Sequence, residues 1–151
     1  MADIITILSN SVSETMSIGF KIGKILKNKR LPVIALLYGD IGAGKTTLIK
    51  GIGKAFDIDE REIGSASFVI VSVYETVPPL FHIDLYRLND GADIDDMGLW
   101  DYLSVDSICV IEWAERLGNI DGWTVRISIV ETDEECREIN IEGIDEKDWF
   151  I

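Results

Sequence analysis

Gly39-Asp40-Ile41-Gly42-Ala43-Gly44-Lys45-Thr46-Thr47 decides the reading of this chain. It fits G-x-x-x-x-G-K-[ST], the P-loop pattern, without a mismatch. Upstream, Val33-Ile34-Ala35-Leu36-Leu37-Tyr38 is an unbroken apolar run of strand length, as a strand buried on both faces requires. Downstream, Leu48, Ile49, Ile52 and Phe56 recur at helical spacing, which predicts a helix over 46–56. Gly42 and Gly44 let the backbone curl with its N–H groups pointing inward. The new helix adds unpaired amides and the positive end of its dipole. A triphosphate fits such a cup, with Lys45 reaching the β- and γ-phosphates and the Thr46 hydroxyl on Mg²⁺. Asp40, Ile41, Gly42, Ala43, Gly44, Lys45, Thr46 and Thr47 are therefore candidate nucleotide-binding residues. The bland alternative is a glycine-rich turn that matches by chance, and the flanking strand and helix argue against it.

The length, 151 residues, suggests one domain, 1–151, with a single core. Hydrophobic residues make up 47%, too many for a disordered chain. No stretch reaches the length of a membrane span, and Met1-Ala2-Asp3-Ile4 lacks the basic start of a signal peptide, so a cytoplasmic location is expected. Cys109 and Cys136 are too few for a disulfide framework and lie in no metal-spacing motif; Cys109 reads as a small core residue. His82 is the only histidine, which argues against a histidine-based metal site. The formal net charge of −13 repels nucleic acid, whose binding depends on neutralising phosphates with Lys and Arg. Any service to RNA would then need a partner to hold the RNA. Solubility alone also accounts for much of the acidity.

The rest of the chain predicts an α/β domain. Residues 4–8 suit a short strand. Ser11-Val12-Ser13-Glu14 fits a capping box, opening a helix to about Lys27 with Ile18, Ile22, Ile25 and Leu26 on one face. Residues 57–63 are acidic and irregular. Residues 69–75 are β-branched, and 80–86 follow after Val77-Pro78-Pro79 as the second arm of a hairpin. Residues 89–96 read as loop or short helix, and 97–103 as helix. Residues 107–113 form a second buried run ending in a carboxylate. Residues 124–130 and 137–141 alternate with period two and form a C-terminal antiparallel ribbon, which makes the sheet mixed. The expected fold is a P-loop NTPase-like mixed sheet with flanking helices.

A P-loop needs a carboxylate for the magnesium shell, usually at the end of a neighbouring apolar strand. Glu112, after Ile108-Cys109-Val110-Ile111, is in that position; an exposed strand-end glutamate is the plainer reading. Asp84 lies in an otherwise apolar strand, where an unpaired carboxylate is costly. Pairing with Arg87 competes with a role at the metal or the attacking water. Trp113 and Trp100 read more readily as packing residues than as nucleotide contacts, and Trp113 is kept among the candidates for both.

Four segments fall in the order and spacing of the TsaE (YjeE) family: Gly39 to Thr47, His82-Ile83-Asp84-Leu85-Tyr86-Arg87-Leu88, Met97-Gly98-Leu99-Trp100-Asp101-Tyr102-Leu103 and Val110-Ile111-Glu112-Trp113-Ala114-Glu115-Arg116-Leu117. The chain resembles that family from about Ser11 to Ile141. The P-loop is shared by many families; H-x-D-x-Y-R followed by I-E-W is specific to this one. Members are small bacterial P-loop ATPases needed to make threonylcarbamoyladenosine in transfer RNA. The resemblance implies ATP and Mg²⁺ as cofactors, slow hydrolysis, and work on a TsaB–TsaD pair rather than on RNA directly. It implies Thr46 and Glu112 as magnesium ligands and Asp84, with Lys45, as catalytic, Asp84 activating or ordering the water. Ser67 matches a threonine in the family's S-P-T-F or S-P-T-Y switch segment, here Ser65-Ala66-Ser67-Phe68 without the proline. The family's W-P-E or W-S-E is here Trp113-Ala114-Glu115. Arg137 matches an arginine near the nucleotide, and Ser11 a region near the base.

Two other classes are weaker. A small-molecule kinase needs an arginine-bearing lid, and this chain has 14 Lys and Arg in total and no basic insertion after the P-loop helix. A switch GTPase needs a base-reading N-K-x-D, which does not follow the P-loop; Asp95-Asp96-Met97-Gly98 matches D-x-x-G but follows an acidic loop. A pure ATP-binding scaffold differs from an ATPase only in turnover.

Overall fold

In the computed structural model the glycine loop leaves the central strand of a mixed sheet. The structure describes residues 4–40, 42–64, 71–86, 98–118 and 120–150. Ile41, Ser67, Arg87, the 89–96 segment and Met97 lie outside the described residues. The described elements in chain order are β1 (Ile4–Ser9), α1 (Val12–Lys27), β2 (Val33–Tyr38), α2 (Lys45–Lys54), β3 (Val71–Tyr74), β4 (Leu80–Asp84), α3 (Leu99–Leu103), β5 (Ile108–Glu112), β6 (Val125–Glu131), β7 (Arg137–Glu142) and α4 (Glu146–Trp149). The sheet order is β1-β7-β6-β2-β5-β4-β3. β2 runs parallel to β5 and β6, and β4 parallel to β5. β3 pairs antiparallel with β4, and β7 antiparallel with β6 and β1. The mixed sheet and its C-terminal ribbon are as expected, and β1 adds itself to the outer edge of that ribbon.

Strand periodicity divides the core into two layers. Val33, Ala35 and Leu37 face α1 and α2, together with Leu80, Ile108, Val110, Val125 and Ile127. Ile34 and Leu36 face the other way, with Phe81, Ile83, Cys109, Ile111 and α3 residues Leu99 and Leu103. Cys109 is buried there, as read. β2 therefore needs an apolar residue at every position, which is why it reads as an unbroken run.

α1 and α2 cross at very short range because three glycines lie between them. A Cβ on Gly19 would run into the Leu48 carbonyl, one on Gly51 into the Met16 carbonyl, and one on Gly23 would come within 2.6 Å of the Ile52 carbonyl. This crossing fixes the helix that carries the P-loop. Ser11 caps α1 as expected, its hydroxyl accepting from the Glu14 amide at 3.0 Å. The return bond differs: Glu14 accepts from the Asn10 amide at 2.7 Å, one residue ahead of the cap.

Two boundaries also differ. α2 ends at Lys54 rather than 56, because Asp57 turns left-handed at φ 61°. The Asp57 amide donates to the Lys54 carbonyl at 3.1 Å and the Ile58 amide to the Gly53 carbonyl at 3.0 Å, a Schellman closure. Phe56 is buried in that turn. The described helix near 97–103 starts at Leu99, since Gly98 sits at φ 72° ahead of it. α4 has no counterpart in the sequence reading; its Trp149 is 5% exposed and packs into the α1–α2 layer, with the Lys21 ammonium 4.5 Å from its ring centre.

Candidate functional site

Strand parity brings the acidic residues to the P-loop. Leu80 and His82 alternate with Phe81 and Ile83 along β4, so Asp84 follows His82 onto the α2 side. Glu112 takes the same side of β5 by the same count, and Asp84 and Glu112 are direct neighbours across the parallel pair. Both end their strands at the edge where β2 runs into the glycine loop. A shift of one residue in either strand would move its carboxylate to the α3 side.

Gly44 is the turning point of the loop. It precedes α2 at φ 105°, and a Cβ there would press to 3.2 Å from Ile129 Cδ1. The next residue, Lys45, opens the helix and is only 5% exposed. Its ammonium donates to the Gly39 carbonyl and lies 3.2 Å from the centre of the Trp113 ring. No carboxylate of a described residue comes within 4.0 Å of it. Burial lowers its pKa, and Glu112, Glu115, Asp84 and Asp40, in that order of strength, partly restore it. A desolvated cation ringed by distant carboxylates and met only by a carbonyl and an aromatic face is complementary to an anion in the loop.

Asp84 is half-buried. Its Oδ1 accepts from the Tyr86 amide at 3.0 Å. Burial raises its pKa most; the Tyr86 amide opposes that, and neighbouring Glu112 adds to it. Its pairing with Arg87 falls outside the described residues. Glu112 is buried, not an exposed strand end, and its Oε2 lies 3.0 Å from His82 Nε2. His82 stands in the H-x-D-x-Y-R motif, but the motif does not say what its ring meets, so this contact went unread.

Trp113 is a packing residue, as read, and it also borders the loop lysine. It packs on the α3-side core and against Tyr86, ring centres 5.0 Å apart, while its face meets Lys45. It sits at φ 60°, an unusual backbone for a bulky residue, which turns the chain from β5 into a short 3-10 segment, Ala114–Leu117. That turn sets Glu115 on the loop: its Oε2 accepts from the Gly39 amide at 3.1 Å. Trp100 is 45% exposed on α3.

Arg137 holds the loop from beneath. Its Nε donates to the Ala43 carbonyl at 2.8 Å and its Nη2 to the Gly42 carbonyl at 3.3 Å. Its Nη1 donates to the carbonyls of Asp133, Glu134 and Cys136 in the β6–β7 turn at 3.0, 3.2 and 3.0 Å. Arg137 also lines a cavity of about 350 Å³ with Ser11, Gly44, Thr47, Glu134 and Glu135. The structure thus brings Ser11 and Arg137 together beside the loop. Glu134 and Glu135 fall between the two arms of the ribbon, where nothing in the sequence marks them as site residues. Thr46 is in the first turn of α2 beside Lys45. Among the described residues no three His, Cys, Asp or Glu side chains converge as a metal site of their own.

Residues 9–139 match the family described as threonylcarbamoyl adenosine biosynthesis protein TsaE. The chain is 33% identical over 135 residues to the tRNA threonylcarbamoyladenosine biosynthesis protein TsaE of Treponema pallidum, spanning 89% of this chain and 97% of that protein. It is 35% identical over 141 residues to the protein of the same name from Streptomyces coelicolor, spanning 86% and 90%. The crystal structure of YdiB from Bacillus subtilis superposes with a TM-score of 0.73 at 25% identity, over 97% of this chain and 90% of that one.

Proposed function

This chain belongs to the TsaE family of tRNA threonylcarbamoyladenosine biosynthesis, and from that premise we propose that it is a Mg²⁺-dependent ATPase that works through TsaD and TsaB. The observation that carries the ATPase reading is Lys45: a buried ammonium in a glycine cup, without a carboxylate partner among the described residues, beside the strand-end pair Asp84 and Glu112.

Lys45 meets the β- and γ-phosphates, aided by the loop amides and the α2 dipole. Thr46 and Glu112 would hold Mg²⁺ through hard oxygen ligands, which suit that ion. When bound, it would supply charge neutralisation at the transferred phosphoryl group. Asp84 orders or deprotonates the attacking water, and burial, which raises its pKa, makes it a better proton acceptor than an ordinary aspartate. Ser11, Thr47 and Arg137 form the wall of the cavity that takes the nucleoside end, and Trp113 contacts the nucleotide from the lysine side. Ser67 adds a hydroxyl from the switch segment by family pattern. Arg137 is spent on five carbonyls, so it is not poised as an arginine finger, and turnover by the protein alone is slow.

Titration calorimetry tests the cup. Wild type should bind Mg-ATP, and Lys45→Ala should lose binding by at least about a hundredfold, since a charge-assisted contact in a water-poor loop is removed. Equal binding by the two proteins would overturn the P-loop reading.

A further inference from the structure

We infer that His82 is a positioning residue for magnesium, which holds Glu112 in the orientation from which it binds the ion. The inference rests on the ATPase reading above and deepens it. His82 and Glu112 come from adjacent parallel strands, 30 positions apart, with side chains 4% and 6% exposed. Glu112 Oε2 lies within hydrogen-bond distance of His82 Nε2, at 3.0 Å. With the carboxylate ionised, Nε2 carries the proton and donates. Oε1 makes no hydrogen bond to a described residue, so one oxygen is anchored and the other is left for a ligand.

The residue type fits this task better than packing alone. His82 stands on β4 between Leu80 and Asp84, on a face that away from the strand ends is built mainly of Leu, Ile, Val and Ala. An aliphatic side chain there would bury more apolar area at no polar cost. It would also leave a buried carboxylate without a donor. A glutamate has three side-chain torsions to lose on binding a metal, and a rigid imidazole donor removes that freedom in advance. His82 touches neither nucleotide nor metal in this arrangement; it acts through Glu112.

The test measures how much Mg²⁺ strengthens ADP binding, by calorimetry with and without the ion. Wild type should show a clear gain. His82→Leu should lose about ten- to a hundredfold of that gain while keeping its affinity for ADP in EDTA. His82→Gln, whose amide nitrogen can reach where Nε2 stood, should recover most of it. His82→Asn, too short to reach, should not, and it stands in if the leucine variant fails to fold. In a Glu112→Gln background, changing His82 should alter the gain no further. An unchanged Mg²⁺ gain in His82→Leu or His82→Asn overturns the inference and leaves the ATPase reading intact. Absence of any Mg²⁺ gain in wild type overturns that reading, and this inference with it.

Discussion

Asp84 carries an internal conflict between stability and chemistry. Its pKa is raised chiefly by burial, so the fold favours the neutral acid. Below the usual aspartate range the group is protonated in both folded and unfolded chains and costs nothing. As pH rises through the folded pKa the half-buried carboxylate ionises, and the stability conferred by the neutral form is lost. Asp84→Asn keeps an oxygen for the Tyr86 amide and removes the charge. The variant should melt above wild type at pH 7, and the difference should vanish in acid below about pH 4. Its ATP turnover should fall, as the stability gained at a functional site is paid in activity. Melting curves at several pH values check the first part; a lower melting point at pH 7 would mean the carboxylate is stabilised in the fold. At this scale Lys45, Thr46, Asp84 and Glu112 were singled out as candidates by motif, and the fold sets Asp84 and Glu112 side by side next to Lys45. His82 and Glu115 were not. Each acts through a partner distant in sequence, Glu112 and the Gly39 amide, and only strand register or the turn at Trp113 brings the two together.

The same holds for elements. β2, α1 and the hairpin arm β4 announce themselves through local periodicity. The α1–α2 contact does not, because glycines give no hydrophobic signal, although Gly19 and Gly23 stand at i, i+4 on one helix face. Replacing Gly51 by alanine sets two effects against each other. Helix propensity favours alanine by about 1 kcal/mol. Overpacking costs about 1–3 kcal/mol, and the obstacle here is the Met16 backbone carbonyl, which cannot rotate away. The clash should win, with Gly51→Ala less stable by up to about 2 kcal/mol in urea unfolding. Gly64→Ala meets open space and should stay within about 0.5 kcal/mol of wild type. α4 was missed for another reason: four residues are too few to show helical periodicity, and its formation depends on Trp149 finding the core.

For the whole molecule, the mixed character of the sheet followed from reading the last two alternating runs as an antiparallel ribbon. The place of β1 beside β7 did not, because nothing local selects which edge a short strand joins. No helix among the described residues is long and apolar enough to cross a membrane. The net charge of −13 argues that the isolated chain binds transfer RNA weakly at physiological salt, which fluorescence anisotropy with labelled RNA would measure. On the proposed reading partner proteins carry the RNA, and they are also the expected source of faster turnover. Phosphate release is the most direct test, measured for the protein alone, with TsaB and TsaD, and with both plus Asp84→Ala. Release should be slow alone, rise with the partners, and fall back in the variant. No response to the partners, or a rise that survives Asp84→Ala, would contradict it.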